Sequence, residues 1–276
     1  MKFNTKCVHG SGRPDSTGAI SPAIYMSSTF SHPKLGDTTG YQYTRESNPT
    51  RDRLEQLIAG LEDGKDALAF SSGMAAVDAV FHLFSPGDHI ILGDDLYGGS
   101  IRMFTNIYEQ NGIEFTYVGT SDLDAVKAAF RPNTKAVYIE TPTNPMMEIT
   151  DIRALCALAH EHNALVIIDN TFLSPYFQKP LNLGADIVVH SGTKFIGGHH
   201  DVISGFTIVN DDELAAKLRL TYKTVGACLS AMDSWLVIRG VKTLALRMEQ
   251  HQKNAIALAE WLKKQPKVTK VLFPGL

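Results

Sequence analysis

Short apolar runs recur through the middle of this chain, each closing on small or acidic residues: "ALAFSSG" (67–73), "HIILGD" (89–94), "EFTYVG" (114–119), "AVYIET" (136–141), "LVIIDN" (165–170) and "DIVVHSG" (186–192). Helical patterns lie between several of them, at 74–84, Ile101–Gln110, Leu123–Phe130 and Ile152–His162. A strand that is apolar on both faces must be covered on both faces, and a parallel sheet with helices above and below does this. "SGFTIV" (204–209) adds one more strand. The pattern therefore predicts an α/β fold: a mostly parallel, seven-stranded sheet flanked by helices. Upstream, in "NPTRDRLEQLIAGLEDG", Asn48 can cap a helix and Pro49 can open it, and Leu54, Leu57, Ile58 and Leu61 repeat at helical spacing up to Gly64. The chain divides into three regions. Residues 1–46, rich in Ser, Thr, Gly and Pro, read as an extended arm. Residues 47–240 form the α/β domain, and 241–276 hold a long linking helix, from about Val241 to Gln265.

Composition narrows the function. A chain of 276 residues buries roughly three quarters of its unfolded surface and needs neither disulfide nor metal to stay folded. Net charge is −3 and the basic residues are dispersed, so nucleic acid is not an expected partner. No apolar run reaches the roughly 18 residues of a membrane span, and Met1–Gly12 lacks the apolar centre of a secretory signal. Cys7, Cys156 and Cys228 are odd in number and far apart, which fits a reducing cytoplasm and no disulfide framework.

In open α/β sheets, ligands bind beyond the carboxyl ends of the strands. Those ends carry Ser71–Met74, Asp94–Tyr97, Thr141–Asn144, Asp169-Asn170 and Ser191–Lys194. "SSGMAA" closes a strand and opens a helix, where free N–H groups suit a phosphate, although small residues also serve a plain strand–helix turn. Asp169 alone reads as a helix cap, a metal ligand or the partner of a protonated ring nitrogen. Lys194, about 25 residues later in "VVHSGTKFIGGHHD" (188–201), changes that reading. A strand-end lysine with a strand-end acid fits a pyridoxal phosphate site, the lysine holding the cofactor and the acid its pyridinium nitrogen. Ser191 and Thr193 can reach the same phosphate. Tyr97 can lay its ring over a flat cofactor, or can be a half-buried loop aromatic. His199, His200 and Asp201 do not make a metal site: neighbouring histidines in an extended loop point apart, and no third ligand has suitable spacing. Cys156 reads as a core residue on an amphipathic helix.

Six motifs in one order carry a resemblance: "YQYTRESNPTR" (41–51), "SSGMAA" (71–76), "DDLYGGS" (94–100), "ETPTNP" (140–145), "IIDNTF" (167–172) and "HSGTKFIGGHHD" (190–201). Together they resemble the Cys/Met-metabolism (transsulfuration) family of pyridoxal-phosphate enzymes, which includes cystathionine γ-lyase, β-lyase and γ-synthase. The resemblance implies the fold type I transferase architecture and pyridoxal 5'-phosphate as cofactor. It implies Lys194 as the Schiff-base lysine and proton shuttle, Asp169 at the ring nitrogen, and Gly73, Met74, Ser191 and Thr193 at the phosphate. Tyr97 is similar to the tyrosine that stacks on the pyridine and helps proton transfer, and Asn144 to the asparagine near the ring hydroxyl. Tyr43 and Arg45 resemble a pair that reaches into a neighbouring subunit's phosphate site, which implies a homo-oligomer: a dimer of shared sites, and a tetramer made of two. The expected activity is a carbon–sulfur lyase acting on a small sulfur amino acid, by cystathionine γ- or β-elimination. The alternatives are γ-replacement on an activated homoserine, as in cystathionine γ-synthase, or a truncated, non-catalytic cofactor-binding protein. The second alternative arises because the chain stops at "VLFPGL" (271–276), where that family's C-terminal domain begins.

Overall fold

The computed structural model describes residues 1–10, 12 and 16–276. Its centre is one sheet built from β1 (Asp66–Phe70), β2 (His89–Gly93), β3 (Glu114–Val118), β4 (Thr134–Glu140), β5 (Leu165–Asp169), β6 (Ile187–Ser191) and β7 (Gly205–Val209). The strand order is β1-β7-β6-β5-β4-β2-β3. Pairs β2·β3, β2·β4, β4·β5 and β5·β6 are parallel, whereas β7 runs antiparallel to both β6 and β1. Only β7 is reversed, so the sheet is mostly parallel and seven-stranded, as the apolar runs require.

The helices are α1 (Phe3–His9), α2 (Pro49–Glu62), α3 (Gly73–Phe81), α4 (Gly98–Met103), α5 (Leu123–Ala129), α6 (Ile152–Glu161), α7 (Ser174–Phe177), α8 (Asp212–Val225), α9 (Ala231–Val241) and α10 (Leu244–Leu262). They cover both faces. Val77, Val80 and Phe81 of α3 and Leu218 and Tyr222 of α8 pack with Phe70, Ile90, Tyr138, Ile167 and Val189 on one face. On the other, α2, α9 and α10 bury Leu54, Ile58, Val237 and Leu244 against Val188, Phe206 and Ile208. Leu155 and Cys156 of α6 join Val137, Ile139 and Ile168 further along that face. No helix among the described residues is long and apolar enough to cross a membrane.

Several local expectations are revised. The chain's start is not extended: α1 packs Cys7 and Phe3 into the α2–α10 side of the core. Helix α2 is capped as read, with Asn48 Oδ1 accepting from Thr50 N–H at 2.9 Å, but Asp63, not Gly64, takes the left-handed terminal position at φ 56°. Gly64 is needed for space, because a Cβ there would lie 2.2 Å from Ile208 Cγ2. The 101–110 helix begins earlier, at Gly98, and widens into a π-helical turn over Phe104–Tyr108. The long helix read from about Val241 to Gln265 is α10, which starts slightly later, at Leu244, and ends at Leu262, with Lys242-Thr243 separating it from α9.

Candidate active site

Beyond the carboxyl ends of the parallel strands lies a cleft of about 1010 Å³. Eight of the ten residues singled out in the sequence line it: Gly73, Met74, Tyr97, Asn144, Asp169, Ser191, Thr193 and Lys194. They arrive on several different strand ends and loops, which is what a sheet of this kind offers a ligand.

The β1–α3 turn forms one wall. Ser72 is the N-cap, its Oγ accepting from Ala75 N–H at 3.0 Å. The first N–H groups of any helix have no partner inside it, so Gly73 and Met74 bring donors to the cleft wall. Gly73 answers a second demand: a Cβ there would lie 2.8 Å from Ser191 Cβ, so glycine lets the turn close on β6.

Asp169 ends β5 and opens onto the cleft floor. Its Oδ1 accepts from Thr171 N–H at 3.0 Å, and Tyr138 OH lies 3.5 Å from Oδ2. Burial pushes the carboxyl up from its ordinary range, and the Thr171 hydrogen bonds oppose this. Among the described residues no lysine, arginine or histidine forms an ion pair with it. A part-buried carboxyl held by neutral donors still lacks a cation, and a protonated ring nitrogen is a chemically fitting one.

Lys194 stands in a loop that turns back on itself. Lys194 N–H donates to Ser191 O at 3.2 Å, Gly197 N–H to Gly192 O at 2.8 Å, and Gly198 N–H to Lys194 O at 2.8 Å. Its side chain is exposed to the cleft. Thr193 is already occupied: its hydroxyl donates to Ser204 O at 3.2 Å and accepts from Ser204 N–H at 3.1 Å, tying the loop to the residue before β7. The ring of Tyr97, 52% exposed, forms an upper wall.

Tyr43 and Arg45 are not brought to this cleft. The arm is fastened to the same chain elsewhere. Arg45 Nη1 donates to Lys223 O, its guanidinium lies 5.4 Å from the Tyr43 ring centroid, and buried Arg51 donates to Thr44 O at 2.6 Å. His200 and Asp201 line the outer cleft, while His199 Nδ1 lies 2.9 Å from Gly197 O.

The sequence reading missed four supports. Glu140, at the end of β4, accepts from Tyr97 N–H at 3.1 Å. Thr171 Oγ1 accepts from Ser191 N–H at 2.7 Å, binding the β5 and β6 ends together. Arg247 of α10 donates to Phe195 O at 2.7 Å and Gly240 O at 3.0 Å, clamping the Lys194 loop. Behind the cleft, fully buried Glu62 Oε1 lies 2.6 Å from His190 Nε2 and accepts from Asn170 Nδ2 at 2.8 Å. Glu140 and Thr171 sit within motifs already quoted; Arg247 and Glu62 lie on distant helices and leave no local signal.

Comparison with known proteins identifies the family. A family model described as Cys/Met metabolism PLP-dependent enzyme matches residues 4–276. The chain is 50% identical over 275 residues to a cystathionine beta-lyase of Lactococcus lactis subsp. cremoris (strain MG1363), covering 99% of this chain and 72% of that protein. It is 49% identical over 276 residues to a cystathionine gamma-lyase of Bacillus subtilis (strain 168), covering 100% and 73%. The crystal structure of cystathionine gamma-lyase from Lactobacillus plantarum complexed with L-serine superposes with a TM-score of 0.98 at 50% identity, over 100% of this chain and 72% of that one.

Proposed function

This chain belongs to the Cys/Met metabolism PLP-dependent enzyme family, and we propose that it is a carbon–sulfur lyase whose substrate is cystathionine, built around Lys194. The observation that carries the proposal is the meeting, in one cleft, of a lysine amine, a part-buried carboxyl without a cation, and a helix N-terminus. Those groups fit pyridoxal phosphate. Lys194 would hold it through Nζ, and Asp169 would face its ring nitrogen. Gly73 and Met74 N–H would meet the phosphate, together with the Ser191 hydroxyl. Thr193 serves mainly to hold the loop, since its hydroxyl is engaged by Ser204. Tyr97 would cover one ring face, and Asn144 would approach the ring hydroxyl.

Bound there, the cofactor supplies an electron sink for the charge left when an amino acid loses its Cα proton. The chain's residues do the rest. Displaced from the cofactor by the substrate's own amine, Lys194 Nζ would be free to take the Cα proton and, as an ammonium, to return it. When the C–S bond breaks, the pair stays on sulfur, which takes a proton from Lys194 or from the Tyr97 hydroxyl. Asp169, facing the ring nitrogen, would balance the positive charge there. Loss from Cγ needs additional proton transfers, for which Lys194 and Tyr97 are the available groups.

Tyr43 and Arg45 support a second part of the proposal. They lie away from their own cleft, so their polar tips are assigned to a neighbouring subunit's phosphate, and the working unit is a dimer. The cytoplasm, where thiols stay reduced, suits the three free cysteines.

Product analysis tests the activity. Pyruvate released from cystathionine marks β-elimination and 2-oxobutyrate marks γ-elimination. Synthesis from an activated homoserine with neither lyase product would replace the lyase reading by γ-replacement. No turnover of any of these by the full-length protein would remove the reading.

A further inference from the structure

Glu140 is a buried acid in the cleft to which the proposed chemistry gives no part. It is 7% exposed, and in the sheet register it stands directly beside Asp169. Two carboxyls on neighbouring strand ends thus share one face of the cleft floor. Two such groups cannot both ionise without cost, and burial makes that cost larger. One of them must face the ring nitrogen. The other has a different attachment: Glu140 Oε2 accepts from the main-chain N–H of Tyr97.

That contact falls at a sensitive place. Tyr97 opens α4 without a side-chain cap and presents a half-exposed ring. Gly99 comes two residues later, and a Cβ there would lie 2.3 Å from Tyr97 Cε1. The ring is therefore set by the path of its main chain, and the Glu140 hydrogen bond holds that main chain to the end of β4. Met146 N–H donates to Asp95 Oδ2 at 3.1 Å, joining the same loop to the segment after β4.

We infer that Glu140 is a positioning residue, which fixes the Tyr97 main chain and so the ring that covers the cofactor, and which does this as the uncharged acid. The inference rests on the reading that this cleft holds pyridoxal phosphate. The groups around Glu140 agree with a neutral acid. Asp169 faces it from β5, Asp95 and Tyr97 from the loop after β2, and Tyr138 from its own strand, while Lys194 also lines the cleft. Burial, then Asp169, pushes its carboxyl up to about 8, with the Tyr97 N–H opposing. As the pH rises through that value, a second negative charge enters beside Asp169.

The test is retention of pyridoxal phosphate, followed by its visible absorption during dialysis, for wild type, Glu140→Ala, Glu140→Gln, Tyr97→Ala and the Glu140→Ala/Tyr97→Ala double variant. Glu140→Ala should weaken retention roughly tenfold, the order of one hydrogen bond, and Glu140→Gln, which keeps an acceptor and cannot ionise, should recover most of that loss. In the Tyr97→Ala background, removing Glu140 should cost little more, because Glu140 acts through that ring. Where Glu140→Ala does not fold, the glutamine variant carries the test. Wild-type retention should fall as pH rises through about 8, and that of Glu140→Gln should stay level. Retention by Glu140→Ala equal to wild type, additive losses in the double variant, or the same alkaline fall in Glu140→Gln would each overturn the inference. A wild-type protein that takes up no cofactor overturns the function reading as well. One that takes it up while the variants give any of those three results overturns this inference alone.

Discussion

Single residues in this cleft are fixed by contacts that substitution makes visible. Gly198 has φ +72°, and a Cβ there would lie 2.2 Å from Arg247 Nη1. Gly198→Ala should therefore lose about 1–3 kcal/mol from backbone strain and displace the guanidinium that clamps the Lys194 loop. Urea unfolding reads the first effect and cofactor retention the second; an unchanged midpoint would show that the loop relaxes freely. Glu140 makes a pH prediction whose sign comes from its raised carboxyl. The fold favours the proton-bearing form, so the stability it contributes is whole below the ordinary value of 4.5 and is lost as pH rises to about 8, then levels off. Glu55, pushed by burial to about 7, adds a similar slope, so the comparison must be with Glu140→Gln in the same chain. The stability difference between variant and wild type should grow across that window in the variant's favour. A constant difference would mean that Glu140 ionises normally in the folded protein.

At the scale of elements, α2 is joined to the sheet's working end by the buried Glu62–His190–Asn170 cluster. Among the described residues, Glu62 Oε2 and His190 Nδ1 have no hydrogen-bond partner, so the cluster is held by few contacts and depends on each. Glu62→Ala strips His190 and Asn170 of a shared acceptor and should cost about 3–5 kcal/mol, as breaking a buried pair does. The exposed Glu213–Lys217 pair on α8 should cost only about 0.3–0.5 kcal/mol, which makes it the control. Comparable losses in denaturant melts of the two variants would refute the distinction. This contrast also shows what was legible in the sequence. The strands could be read because burial on both faces forces unbroken apolar runs, and the cleft could be located because it lies where such runs end. Glu62 and His190 are 128 positions apart, and Arg247 lies 52 from Phe195, so nothing local marks either contact. Helix α1 escaped for a related reason: "FNTKCVH" has no period of its own and takes its shape from packing on α2 and α10.

At the scale of the whole molecule, the proposed shared site needs two chains. Arg45 is held against Lys223 of its own chain, away from the cleft, and the proposal assigns it to the cleft of a second chain. Arg45→Ala and Lys194→Ala should each be inactive, yet mixing them under subunit exchange should restore part of the activity. A hybrid dimer has one site with both lesions and one with neither. If exchange is demonstrated and nothing returns, the shared-site arrangement fails. Site, chemistry and assembly all depend on one claim, that the cleft holds pyridoxal phosphate through Lys194. The direct measurement is borohydride reduction of the protein loaded with cofactor, then proteolysis and mass spectrometry to find the labelled side chain. The label should appear on the peptide containing Lys194, and on no peptide of Lys194→Ala. A label on another lysine, or an undiminished one in Lys194→Ala, would contradict it.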